Sequence, residues 1–294
     1  MLLWGVRNPW RIMRFLAFLL LSALVTVPAL AETYDDLIAK AGALYQEGQY
    51  EESGIQFELA FALEDGRPTH YYNAACAWSL AGNAESAFAM LEQAIDAGFR
   101  NSELLMADAD LTALYDDPRW NTVVARCQAA EALWLTSINV ELYRLFQSDQ
   151  GDRSGDGDWE NIEERDRQRR KIVAKMIQED KLHAPDDFVH AAFIFQHGAD
   201  STSYRTAHEL AMKAVEMDST YMRARWIAAA SKDRYLQSIG KPQIFGTQLL
   251  MRDGRWTLEP YDTTAVTDAE RARWGVPPLA HQREWEAGAN GRTE

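Results

Sequence analysis

Apolar residues follow a helical period along most of this chain, recurring three and four positions apart, and only after Gly240 does the pattern change. Near the start the pattern also repeats itself. Shifted by 34 residues, Leu37 falls on Tyr71, Ala41 on Ala75, Leu44 on Trp78, Gly48 on Gly82, Ser53 on Ala87, Phe57 on Leu91 and Ala60 on Ala94. Small residues recur where helices must cross closely, bulky ones where they fill a groove, and a glycine recurs where the chain must turn. Two helical pairs are expected, Asp35–Gly66 and Thr69–Gly98. A degenerate third unit runs from Ser102 to Gln128 and turns at Asp116-Asp117-Pro118.

Downstream the periodicity predicts a helix over Leu135–Gln147, a Gly/Asp-rich loop over Gly151–Asp158 and a charged helix over Trp159–Glu179. Pro185-Asp186-Asp187 is helix-opening chemistry and starts an apolar helix, Phe188–His197. Two more follow, Tyr204–Glu216 and Met222–Gln237. Between residues 243 and 260 two runs flank Asp253-Gly254, a pair suited to the positive φ angles of a tight β-hairpin. A short helix over Asp268–Trp274 and an unstructured tail complete the reading. The fold class is therefore mostly α: a helical array over 32–130, a helical domain over 131–265 that closes with a small β-hairpin, and a short helix with a tail over 266–294.

The first 31 residues belong to neither unit. Phe15–Val27 is almost wholly apolar but too short to span a bilayer. Arg7, Arg11 and Arg14 precede it, and Pro28-Ala29-Leu30-Ala31 offers small residues for a signal peptidase. The expectation is a cleavable signal peptide cut after Ala31, with export to the periplasm or beyond and no membrane anchor left afterwards. Met13 is an alternative start. The formal charge of −14, from 30 basic and 44 acidic residues, argues against a nucleic-acid partner. The two cysteines, Cys76 and Cys127, exclude a disulfide scaffold and multi-cysteine zinc modules; both read as buried small hydrophobes.

The 34-residue helix–turn–helix period resembles the tetratricopeptide repeat. That resemblance implies a concave groove for a protein or peptide partner, with Tyr45, Tyr72 and Asn73 as candidate lining residues. For Tyr72 and Trp78 the alternative is packing between repeats. A second resemblance rests on four motifs in order: Asp149-Gln150-x-Asp152-Arg153, Gln196-His197, Asp233-Arg234 and Gln243-x-x-Gly246-Thr247-Gln248. Leu142–Gln248 looks like an uncharacterised bacterial domain carrying these motifs, which implies a shared site without naming a reaction.

Two readings of that site stay open. In one, the chain is an exported interaction module, a scaffold or adaptor, and the polar residues pin helices together. In the other it is an enzyme of unassigned class, with a hydrolase as the candidate. His197 is then the general base, Asp233 or Asp149 its orienter, and Arg153, Arg170 and Arg234 an anion clamp, with Asp152, Asp166, Gln196, Gln243, Thr247 and Gln248 completing a polar ligand site. No serine elbow, zinc-protease motif or phosphate loop accompanies them. No cofactor is expected. One alternative is calcium: Asp152, Ser154, Asp156 and Glu163 fit a calcium-loop spacing, with Gly157 at the sixth position. His70, His183, His190 and His281 have no partners at ligand spacing and read as surface or capping residues.

Overall fold

The computed structural model describes residues 32–154 and 159–291. The apolar leader with its cleavage site, and Asp156 of the candidate calcium loop, lie outside the described residues. Among the described residues no helix is long and apolar enough to cross a membrane.

The 34-residue repeat becomes two helical hairpins, α1 (Tyr34–Gln46) with α2 (Tyr50–Phe61) and α3 (Pro68–Leu80) with α4 (Ala84–Ala97). Their turns are the same structure built twice. Gly48 and Gly82 both have φ of 77°. The amide after each reaches back to a carbonyl of the preceding helix, Gln49 N to Leu44 O and Asn83 N to Trp78 O, both at 2.9 Å. That left-handed C-terminal closure is open to glycine and strained for a side chain. The small residues of the pattern, Ala41, Ser53, Ala60, Ala75, Ala87 and Ala94, are all fully buried.

Gly54, on α2, faces Trp78 on α3 so closely that a Cβ there would lie 2.5 Å from the indole ring. Gly54→Ala is therefore expected to cost about 1–3 kcal/mol by overpacking, read as a drop in Tm; an unchanged Tm would contradict this packing. Trp78 is thus an inter-hairpin wedge, as the packing alternative had it.

The third unit is α5 (Ser102–Ala107), a 3₁₀ turn (Ala109–Leu114) and α6 (Trp120–Leu135). It corrects the expected groove. The Tyr72 hydroxyl donates to Asp108 Oδ2 at 2.6 Å, the Tyr45 hydroxyl donates to Asp110, and Tyr72 is buried and stacked on Phe99. The third unit's own carboxylates have taken the place of a partner, and of the three candidates only Asn73 stays exposed. Cys76 and Cys127 are both free and buried, and burial pushes the Cys127 thiol up to about 11, which leaves it unreactive at neutral pH.

A break at residues 136–139 separates α6 from α7 (Val140–Gly151), so the helix expected from Leu135 starts later, capped by Asn139. Because α6 runs to Leu135, it crosses the expected boundary at 130–131 and ties the two units together. Trp134 Nε1 donates to Asp186 at 2.7 Å, and its ring packs against Tyr143 and His190. α8 (Ile162–Gln178), α9 (Pro185–Gln196), α10 (Ser201–Met217) and α11 (Met222–Ser238) then form a bundle in which α10 packs along both α9 and α11. Its core includes Leu142, Phe146, Val173, Phe188, Ile194 and Ile227. His190 belongs to that core, flanked by Phe146 and Tyr143, rather than to the surface. His70 is half-buried beneath Tyr34, whose hydroxyl lies 2.7 Å from its Nδ1.

The hairpin is present but short: β1 (Leu250–Arg252) pairs antiparallel with β2 (Arg255–Thr257) around Asp253 and Gly254, both with positive φ. Residues 243–249 are an irregular strap, not a strand. α12 (Asp268–Arg273) is where the reading placed a helix. The tail expected beyond it is instead α13 (Leu279–Gly291). That helix docks through polar residues one turn apart. Gln282 Nε2 donates to Phe245 O, Glu286 accepts from Leu258 N, and Asn290 exchanges hydrogen bonds with the backbone of Trp256.

Candidate functional site: a buried carboxylate–arginine network holding a histidine

Two of the four polar motifs meet, together with a polar stretch of α8, at one end of the α7–α11 bundle. The last turn of α7 and the two residues after it supply Asp149, Gln150, Asp152 and Arg153, the first half of α8 supplies Asp166, Arg169 and Arg170, and the end of α9 supplies Gln196 and its C-cap His197. Helical spacing explains the α8 set. Asp166, Arg169, Val173 and Met176 lie on one face and are all buried.

Asp149 is fully buried and at the centre. His197 Nδ1 lies 3.0 Å from its Oδ1 and 2.9 Å from Oδ2. Gln150 Nε2 donates to it at 2.8 Å and Arg153 Nη1 at 3.1 Å. A carboxylate oxygen accepts, so the contact is met by a proton on Nδ1 and leaves Nε2 as the ring nitrogen outside the pair. No side chain among the described residues is hydrogen-bonded to Nε2, and the imidazole keeps 14% of its surface exposed.

Around this pair the charges close on themselves. Arg169 Nη1 donates to Asp166 at 2.9 Å, and its Nη2 donates to Asp152 and, at 3.2 Å, to Ser148 Oγ. Arg153 Nη2 donates to Asp166, and Arg165 Nε donates to Asp152 at 2.9 Å. Burial would raise the Asp152 carboxyl, but Arg165 and Arg169 outweigh it and hold the carboxyl below its ordinary value. Arg170 Nη1 donates to His197 O at 2.9 Å, a cation on the last carbonyls of α9. Gln196 is buried beside His197.

Asp233 has a different task from the one expected. It is fully buried, and its two oxygens accept from Ile244 N at 2.8 Å, Phe245 N at 3.0 Å, Thr247 N at 3.0 Å and Thr247 Oγ1 at 2.8 Å. With four donors bound it shapes the strap and does not orient His197; Asp149 does. Gln243, Thr247 and Gln248 are likewise turned inward. Gln243 Nε2 donates to Gln248 O at 2.9 Å and to Leu258 O, its Oε1 accepts from Gln248 N at 3.0 Å, and Gln248 Nε2 donates to Thr247 Oγ1 at 2.9 Å. All three are engaged in hydrogen bonds within the fold.

Of the calcium set, Asp152 is already neutralised by two guanidinium groups, and Ser154 Oγ donates to Gly151 O. Glu163 is exposed in the first turn of α8. Arg169, which the sequence places in the same polar stretch as Asp166 and Arg170 but which is not among the candidate ligand residues, is the most connected cation of the network. Its signal was its place three residues after Asp166, on the same helix face.

Two surface clefts lie elsewhere. One of about 280 Å³ is lined by Thr136–Asn139, Lys181, His183 and Asp187, and one of about 410 Å³ by Trp159, Asn161–Glu164 and Arg167. Neither includes His197.

The fold and site define a mostly α-helical protein whose second unit buries a carboxylate–arginine–histidine cluster. Residues 161–290 match a family of unknown function (DUF6624). No curated protein is significantly similar to the chain. The match begins at the start of α8 and runs to α13, so it takes in His197, Asp233 and the strap. The Asp149–Arg153 motif precedes it.

Proposed function

We propose that this chain is an exported enzyme in which His197, oriented by Asp149, moves a proton through Nε2. The observation that carries this is the buried Asp149 carboxylate on Nδ1, with Nε2 bound to no other side chain among the described residues. A base held this way can take a proton from water or a substrate hydroxyl and return it to a leaving group, which is the chemistry of a hydrolase. Gln150 and Arg153 fix the carboxylate, and Arg170 fixes the backbone of His197. The leader predicted over residues 1–31 would export the protein to the periplasm or beyond.

The test is turnover across panels of ester, amide and phosphoester substrates. His197→Gln should lower any turnover found by about 10²–10⁴-fold at an unchanged Tm. Turnover that survives His197→Gln would contradict the proposal.

A second reading is favoured by one observation on the helical hairpins. Ile55 and Leu59 lie exposed four residues apart on α2, and the exposed Leu63 follows in the turn after it. On a tetratricopeptide-like array such residues suit an apolar helical segment of a protein partner, making the hairpins the recruiting half of a scaffold. In that reading, charged substitutions at Ile55 and Leu59 abolish partner binding and leave chemistry at His197 untouched.

A further inference from the structure

The carboxylate–arginine network is balanced by itself: Asp149, Asp152 and Asp166 are matched by Arg153, Arg165 and Arg169. Arg234 is extra. It projects from α11 toward this end of the bundle and makes no ion pair with a carboxylate among the described residues. Its Nε is buried without a hydrogen-bond partner. The charged group acting on it is another guanidinium, that of Arg153, and the Tyr204 hydroxyl is its polar neighbour. Burial outweighs the hydrogen bond with the Tyr204 hydroxyl and, with a smaller push from the like charge of Arg153, pulls the Arg234 guanidinium below its ordinary value.

One turn further along the same face of α11, Gln237 Nε2 is also buried without a partner. Both orphaned atoms are donors. Donors packed beside a like charge are costly unless an acceptor completes them, and the acceptor that also cancels the charge is an oxyanion.

We propose that Arg234, with Tyr204 and Gln237, holds an oxyanion group, a carboxylate or phosphate, beside the His197–Asp149 pair. Arg153 links the two places, since it is bonded to Asp149 and faces Arg234. That this oxyanion belongs to the substrate rests on the reading of His197 as the base; that Arg234 binds an oxyanion does not.

The test is thermal melting of the purified protein against inorganic phosphate, acetate and chloride at constant ionic strength. Phosphate, acetate or both should raise Tm saturably, a response to both marking a general oxyanion site and a response to one naming the class. Arg234→Met should weaken that response roughly tenfold to a hundredfold. In anion-free buffer Arg234→Met should melt at or above wild type, because it removes a buried unpaired charge. His197→Gln should keep the oxyanion response, so a failure of the catalytic reading stays separate from a failure of this one. An equal response to chloride, an unaltered response in Arg234→Met, or an Arg234→Met protein that melts far below wild type or does not fold would each overturn the proposal.

Discussion

Asp233→Ala should be among the most destabilising single substitutions in this protein. It removes the acceptor of three backbone amides and a hydroxyl, gathered where the strap turns under α11. A buried donor without its partner costs about 1–3 kcal/mol. Even with strong non-additivity, a loss of about 4 kcal/mol is expected. At ~2–4 °C per kcal/mol for a chain of this size, Tm falls by on the order of 10 °C. Asp233→Asn keeps one acceptor oxygen and should lose less. Calorimetry of the two variants checks this. A catalytic orienter held at a stability cost would show the reverse, an alanine variant as stable as wild type or more so.

The second large effect is sensitivity to mild acid. Burial pulls His190 down to about 4, inside its ring of Phe146, Tyr143 and Trp134. Burial, reinforced by the nearby charge of Arg67, pulls His70 to about 4 as well. Both stay neutral in the fold at pH values where the unfolded chain, with an ordinary histidine near 6.5, already binds protons. The unfolded state therefore binds more protons between pH 6.5 and about 4, and stability falls as pH drops through that window. Above it the stability is full; below about 4 both states are protonated and these two residues contribute no further slope. Denaturant midpoints from pH 7.5 to 4.5 should fall steadily. His190→Phe keeps the aromatic packing and should flatten the decline. An equal slope in wild type and His190→Phe would show that His190 titrates normally.

Much of the architecture was legible because it is written in apolar spacing. The 34-residue match placed Gly48 and Gly82 at equivalent turns, and the structure builds the same closure at both. Asp253-Gly254 located the hairpin, since few residue pairs tolerate two positive φ angles in succession. α13 was invisible for the opposite reason. It is fastened by Gln282, Glu286 and Asn290 to backbone groups of the hairpin and strap, and a docking stripe made of polar side chains leaves no hydrophobic period to find.

The site was half legible. The motifs named Asp149, Arg153 and His197, which do meet. Which acid faces which base depends on how five helices converge, and that is a tertiary fact. Asp233 was as good a candidate as Asp149 until the strap closed over it. Tyr45 and Tyr72 were likewise well placed for a groove, and only the carboxylates of Asp108 and Asp110, more than thirty residues downstream, reveal that the third unit fills it. Arg169 was recoverable, since its spacing from Asp166 and Val173 marks the buried face of an otherwise charged helix.

The most direct test of the central claim is the protonation pattern of the His197 ring at neutral pH, read by ¹⁵N-edited NMR of the side chain in wild type and Asp149→Asn. In the wild type the proton should sit on Nδ1, with Nε2 bare. In the variant the side chain presents a neutral oxygen and an amide NH₂ to Nδ1 in place of two charged acceptors, so the proton should no longer be held on Nδ1 alone and part of the population should carry it on Nε2. A wild-type ring already protonated at Nε2, or a pattern unchanged by Asp149→Asn, would contradict the pairing on which the proposed chemistry depends.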